Sequence, residues 1–95
     1  MGMFSEEVRV EIDGHLVKAK LSVNPLLFTI KSKLWVDGTL VDSKTQQTMP
    51  VGCFLSGTIS TGADTKMVEV FSAGSRMQTR LVVKIDGKEI ARSKS

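Results

Sequence analysis

The sequence predicts an all-β fold, an antiparallel β-sandwich of about eight strands, and three observations carry that reading. Apolar and polar residues alternate with period two along most of the chain. No stretch long enough for a stable helix keeps apolar residues at helical spacing. Three Asp-Gly pairs, Asp13-Gly14, Asp37-Gly38 and Asp86-Gly87, each separate two alternating runs, and that dipeptide is among the strongest short-range hairpin signals because it tolerates positive φ.

The elements follow in order. Val8, Val10 and Ile12 face one way and Glu7, Arg9 and Glu11 the other. After Asp13-Gly14 the return strand sets Val17, Ala19, Leu21 and Val23 inward against Leu16, Lys18, Lys20 and Ser22. Asn24-Pro25 ends it, since proline has no donor for the ladder. The next run offers Phe28, Ile30, Ser32, Leu34 and Val36 to the core, with Thr29, Lys31, Lys33 and Trp35 on the other face. Asp37-Gly38 turns the chain into residues 39–43, and the polar segment Lys44–Thr48 is expected to cross between sheets.

Beyond Pro50, the inward set is Val51, Cys53, Leu55 and Ile59, with Phe54 on the opposite side. Gly57 stands where a bulge or a close neighbouring backbone would replace a side chain. Residues 61–65 have turn chemistry, Met67–Phe71 reads as a short strand, and residues 72–75 end it. Met77, Thr79, Leu81, Val83 and Ile85 then face inward, and Lys88–Ala91 closes the sheet after Asp86-Gly87. Residues 5–93 are expected to form one domain, with 1–4 and 94–95 as flexible ends. Leu34–Val41 and Val83–Ile90 superpose at an offset of 49 residues, which suggests two equivalent three-strand units and sets Leu21 against Val70.

Composition bounds the function. The chain has 95 residues, 41% hydrophobic and 24% charged, with a formal charge of +3. These are the proportions of a soluble globular domain, and the charge is too low for a dedicated nucleic-acid protein. Residues 1–13 carry a net −3 and residues 76–95 a net +4, so first and last strands lying side by side would pair charges across the ladder. No apolar run is long enough to cross a bilayer and residues 1–7 do not read as a secretory signal, so no membrane contact is expected. One cysteine permits no internal disulfide, which points to a reducing, cytoplasmic setting.

Catalytic chemistry is not expected. His15 is the only histidine and follows a tight turn, a place for a mobile, solvent-facing side chain rather than a catalytic base. Cys53 belongs to the inward set, where a free thiol fills space and titrates high. One His and one Cys do not make a zinc site, and the aspartates stand singly beside glycines, so neither metal nor cofactor is expected. The candidate partner-binding residues are Trp35, Lys31, Lys33, Lys18 and Lys20, on the outward face of two adjacent strands. An exposed aromatic flanked by lysine stems suits a protein partner. The same basic face with one platform ring suits single-stranded nucleic acid as the alternative. A structural subunit of a larger assembly is a further alternative, and the oligomeric state is left open.

The order Asp13-Gly14, Val36-Asp37-Gly38, Val51-Gly52 with Phe54 and Gly57, and Ile85-Asp86-Gly87-Lys88 resembles one domain of the Fas apoptotic inhibitory molecule family. That resemblance implies a compact eight-stranded antiparallel sandwich. It also implies a non-enzymatic cytosolic protein acting through protein contacts, in apoptosis regulation or in protection against aggregation.

Overall fold

Period-two alternation produces eight strands in the computed structural model, which describes residues 4–24, 26–47, 52–75 and 78–93. They are β1 (Phe4–Ile12), β2 (His15–Asn24), β3 (Thr29–Val36), β4 (Thr39–Gln46), β5 (Gly52–Thr61), β6 (Asp64–Ser75), β7 (Gln78–Ile85) and β8 (Lys88–Arg92). The first four form one antiparallel sheet in the order β1-β2-β3-β4, and the last four form another in the order β5-β6-β7-β8. β1 packs over β7 and β8, while β3 and β4 pack over β5. The radius of gyration of 13.3 Å is that of one packed body of this length. β1 begins at Phe4, while residues 1–3 and 94–95, expected to fray, lie outside the described residues, as does Val51.

All three Asp-Gly pairs adopt the left-handed conformation at both positions, with φ of 49° and 83°, 52° and 81°, and 51° and 86°. This is the type I′ turn whose twist matches that of the flanking strands. The fourth tight hairpin turns at Gly62-Ala63, where only Gly62 has positive φ, at 68°. It needs two residues rather than the five expected between 61 and 65, so β6 runs from Asp64 to Ser75 and takes in residues 64–65 and 72–75, both read as turns. β4 likewise continues to Gln46 through the first part of the expected crossover.

The core forms where the inner faces meet. Val17, Ala19, Leu21, Leu34, Val68, Val70, Leu81 and Val83 are fully buried, and each such aliphatic side chain larger than alanine adds about 1.5–3 kcal/mol. Two expectations fail here for local reasons. Phe28 shares the parity of Ile30, but β3 starts only at Thr29, and Phe28 at φ 51° swings outward to 75% exposure. Cys53 and Phe54 exchange roles because the β5–β6 register slips between Cys53 and Leu55. The extra residue of this bulge, Phe54, turns inward and is buried, while Cys53 is exposed.

Gly57 is not the bulge. A Cβ there would stand 3.0 Å from Val41 Cγ2 and 3.5 Å from Leu34 Cδ2, so the missing side chain lets β4 of the facing sheet approach, and side chains rather than backbone fill the space. Bulges do fall between Leu34 and Trp35 and between Val83 and Lys84, positions 49 residues apart.

The repeat comprises four strands rather than three. β3 and β7 match at the 49-residue offset, and Lys31 and Arg80 are equivalent. Within β2 and β6 the pairing aligns Ala19, not Leu21, with Val70, because the connection from Asn24 to Thr29 is two residues longer than that from Ser75 to Gln78. β1 and β8 do not share a ladder. Their charges pair locally instead, Arg9 Nε with Glu7 Oε2 at 2.6 Å and Arg92 Nη2 with Glu89 Oε1 at 2.9 Å.

Glu6 shares the inward face with Val8 and is only 6% exposed. Its Oε2 and the Ser32 hydroxyl find no hydrogen-bond partner among the described residues, and each such orphan costs folding free energy. Glu6→Met should therefore raise stability by about 1–3 kcal/mol, read as a higher urea midpoint with unchanged slope. Gly57→Val should lower it by about 1–3 kcal/mol through overpacking against Val41, and Val41→Ala in the same chain should recover part of that loss.

Candidate binding face

The antiparallel register between β2 and β3 assembles the outer face of the first sheet. Lys18 stands opposite Trp35, Lys20 opposite Lys33, and Ser22 opposite Lys31. The five residues singled out from the sequence, Lys18, Lys20, Lys31, Lys33 and Trp35, therefore share one surface. They line a trough of about 580 Å³ whose remaining walls include Ser22, Asn24, Thr29 and Leu27. Lys18 Nζ lies 4.8 Å from the centroid of the Trp35 ring, a cation–π contact that positions the indole at one end of the trough.

Electrostatics set this face apart. Lys20 and Lys33 are direct cross-strand neighbours, an arrangement that destabilises a ladder. No acidic residue occurs between Asp13 and Asp37 in the sequence. Glu7 neighbours Lys20 from β1, but its Oε2 is paired with Arg9. Among the described residues no carboxylate forms an ion pair with Lys20, Lys31 or Lys33. The local rule for a stable sheet is thus broken where the lysines gather, as happens at sites shaped for a ligand.

The outer face of the second sheet differs. Lys84 Nζ sits 4.4 Å from the Phe71 ring centroid, and Val82 beneath is 3% exposed. A smaller hollow of about 490 Å³ opens between Ile12, Asp13, Lys66 and Ile90, where Lys66 Nζ bridges to Asp13 Oδ2 at 2.9 Å.

His15 is held by two hydrogen bonds instead of standing free in solvent. It begins β2, and its ring is held by Asp37 Oδ2 at 2.6 Å from Nδ1 and by the Ser60 carbonyl at 2.7 Å from Nε2. The imidazolium, with two N–H groups, can donate to the Asp37 carboxylate and the Ser60 carbonyl at once. The Asp37 hydrogen bond, then the Ser60 carbonyl, push the His15 pKa above its ordinary 6.5. His15 in turn, with the Leu16 N–H, holds the Asp37 carboxyl below its ordinary 3.8. This clamp joins the two sheets at their turn ends.

A Cys–His pair does not form. Cys53 lies seven residues along β5 from the Ser60 carbonyl that holds His15, roughly 23 Å of extended strand. Burial, then Glu69, push the Cys53 thiol pKa up, so it is a poor nucleophile. Among the described residues no group of three or more His, Cys, Asp or Glu could hold a metal ion.

Sequence reasoning missed Leu27, Asn24 and the Asp37 clamp. The clue to the first was the apolar run Leu26-Leu27-Phe28 directly after the Asn24-Pro25 break. The clamp had no sequence signal, because it joins residues 22 and 45 positions apart.

The chain matches no protein-family model, no curated protein and no solved structure.

The clamp has a pH signature. The raised His15 pKa adds stability in full below pH 6.5 and loses it as pH rises through the folded value. The lowered Asp37 pKa adds stability above pH 3.8 and loses it as pH falls through its own folded value. Thermal midpoints should therefore decline on the alkaline side of pH 6.5 in the native chain, and His15→Gln should flatten that decline.

Proposed function

We propose that the chain is a non-enzymatic binding module whose first sheet receives an extended, acidic segment of a partner protein. The observation that carries this reading is the convergence of Lys18, Lys20, Lys31, Lys33 and Trp35 on one trough that offers the last three lysines no ion-pair partner among the described residues. An extended peptide could lie along the trough with its carboxylates alternating between the lysines of β2 and β3. Trp35 at the end would supply the large, partly desolvated contact that dominates such interfaces.

Single-stranded nucleic acid is the weaker reading. Base stacking needs free aromatic faces, and the Trp35 ring already carries the Lys18 ammonium on one side. The resemblance to the Fas apoptotic inhibitory molecule family favours a protein partner, and with it a cytoplasmic role in apoptosis regulation or in protection against aggregation. Among the described residues no helix is long and apolar enough to cross a membrane.

Fluorescence anisotropy with a labelled glutamate-rich peptide tests the proposal. Binding should weaken as salt rises, and Lys20→Glu with Lys33→Glu should reduce affinity by about tenfold or more. Trp35→Ala should weaken it as well. A labelled oligothymidylate should bind less tightly than the peptide. Absence of peptide binding at low ionic strength, or equal affinity in the charge-reversed variant, would overturn the proposal.

A further inference from the structure

We propose that the loop between β2 and β3 docks the molecule onto an anionic membrane surface, with Leu26 and Phe28 entering the headgroup boundary and Lys31 contacting lipid phosphates.

Leu26, Leu27 and Phe28 are 87%, 67% and 75% exposed, against 50% for Met67, the next most exposed large hydrophobic among the described residues. The others, such as Leu16, Leu40 and Ile90, are scattered along strands, whereas these three are consecutive at a hairpin tip. The tip is built. Asn24 Oδ1 accepts hydrogen bonds from the Leu26 and Leu27 amides at 3.1 and 3.4 Å, and the Thr29 hydroxyl donates to the Leu27 carbonyl at 3.1 Å. Phe28 is held at positive φ, a conformation that a bulky residue rarely adopts. These bonds hold the apolar side chains out from the chain end of two strands, away from the turns that the His15 clamp joins.

Charge identifies the surface that fits. Behind the tip the strands carry four lysines and no acid from Gly14 to Val36. Lys31 follows Phe28 by three residues, roughly 10 Å of extended chain, which is within the depth between an inserted apolar tip and the phosphate layer. A convex tip needs no complementary pocket in a bilayer. The lysines behind it favour anionic lipid over neutral lipid. This surface adjoins the trough, sharing Leu27 and Lys31 with it, but Leu26 and Phe28 do not line the trough.

Co-sedimentation of the full chain with vesicles tests the proposal, using phosphatidylcholine alone and phosphatidylcholine mixed with phosphatidylserine. The chain should sediment with the mixed vesicles and not with phosphatidylcholine alone. Leu26→Ser with Phe28→Ser should reduce binding by about tenfold, while circular dichroism and affinity for the glutamate-rich peptide stay unchanged. Lys31→Glu should weaken vesicle binding too. The proposal is overturned if the native chain does not bind the mixed vesicles, or if the serine variant binds them equally well. It is also overturned if sedimentation velocity shows the tip joining two copies of the chain in place of lipid. Because the serine variant keeps the trough, loss of vesicle binding with retained peptide binding separates this proposal from the acidic-partner reading.

Discussion

An aspartate in the left-handed conformation fixes more of this molecule than any single core contact. Asp37 turns the chain at φ 52°, and its amide donates to the Leu16 carbonyl at 2.8 Å while its Oδ1 accepts from the Leu16 amide at 2.9 Å. One residue thereby sets the turn between β3 and β4 and ties it to the start of β2. Asp86 repeats the arrangement with Met67 in the second sheet, at 3.0 and 2.9 Å. Because side chains alternate, a one-residue slip of β3 against β2 at the Asp37 brace would break the pairing of Lys18 with Trp35 and of Lys20 with Lys33. The binding face thus depends on the carboxylate of Asp37, which does not line it.

Strand identity and facing were legible in the sequence wherever both faces of a strand differ in polarity. Val8, Val17 and Leu34 go inward and Lys18, Lys33 and Trp35 outward as the alternation requires. The failures gather where the period is interrupted. At Phe54 an inserted residue reverses the faces, and no local composition marks the bulge. At Phe28 the parity rule was carried one residue beyond the strand. The length of β6 was misjudged because Thr61–Thr65 has turn composition, while the Gly62-Ala63 turn uses only two of those residues. Long-range hydrogen bonds such as those of His15 arise from the packing of two sheets, which pattern reading does not resolve.

The outer faces of the two sheets show different solutions to the same problem. On the second sheet the Lys84 ammonium lies over Phe71, and Val82 is shielded. On the first, lysines face one another across the strands, and a loop carries apolar side chains into solvent. Equivalent strands therefore differ in surface chemistry while both keep their buried rows, as Leu34 and Val83 illustrate. Selection for packing constrains one side of a ribbon and leaves the other free to acquire contacts.

The sequential order of the sheets has a kinetic consequence. Each four-stranded meander is complete within its own half of the chain, with no strand exchanged between them, so a cut between Gln47 and Gly52 would sever no ladder. Each fragment would nevertheless leave its apolar face uncovered, and association would become second order in concentration. The short link thus acts as an effective-concentration device, keeping two mutually dependent halves together at dilutions where separate pieces would drift apart.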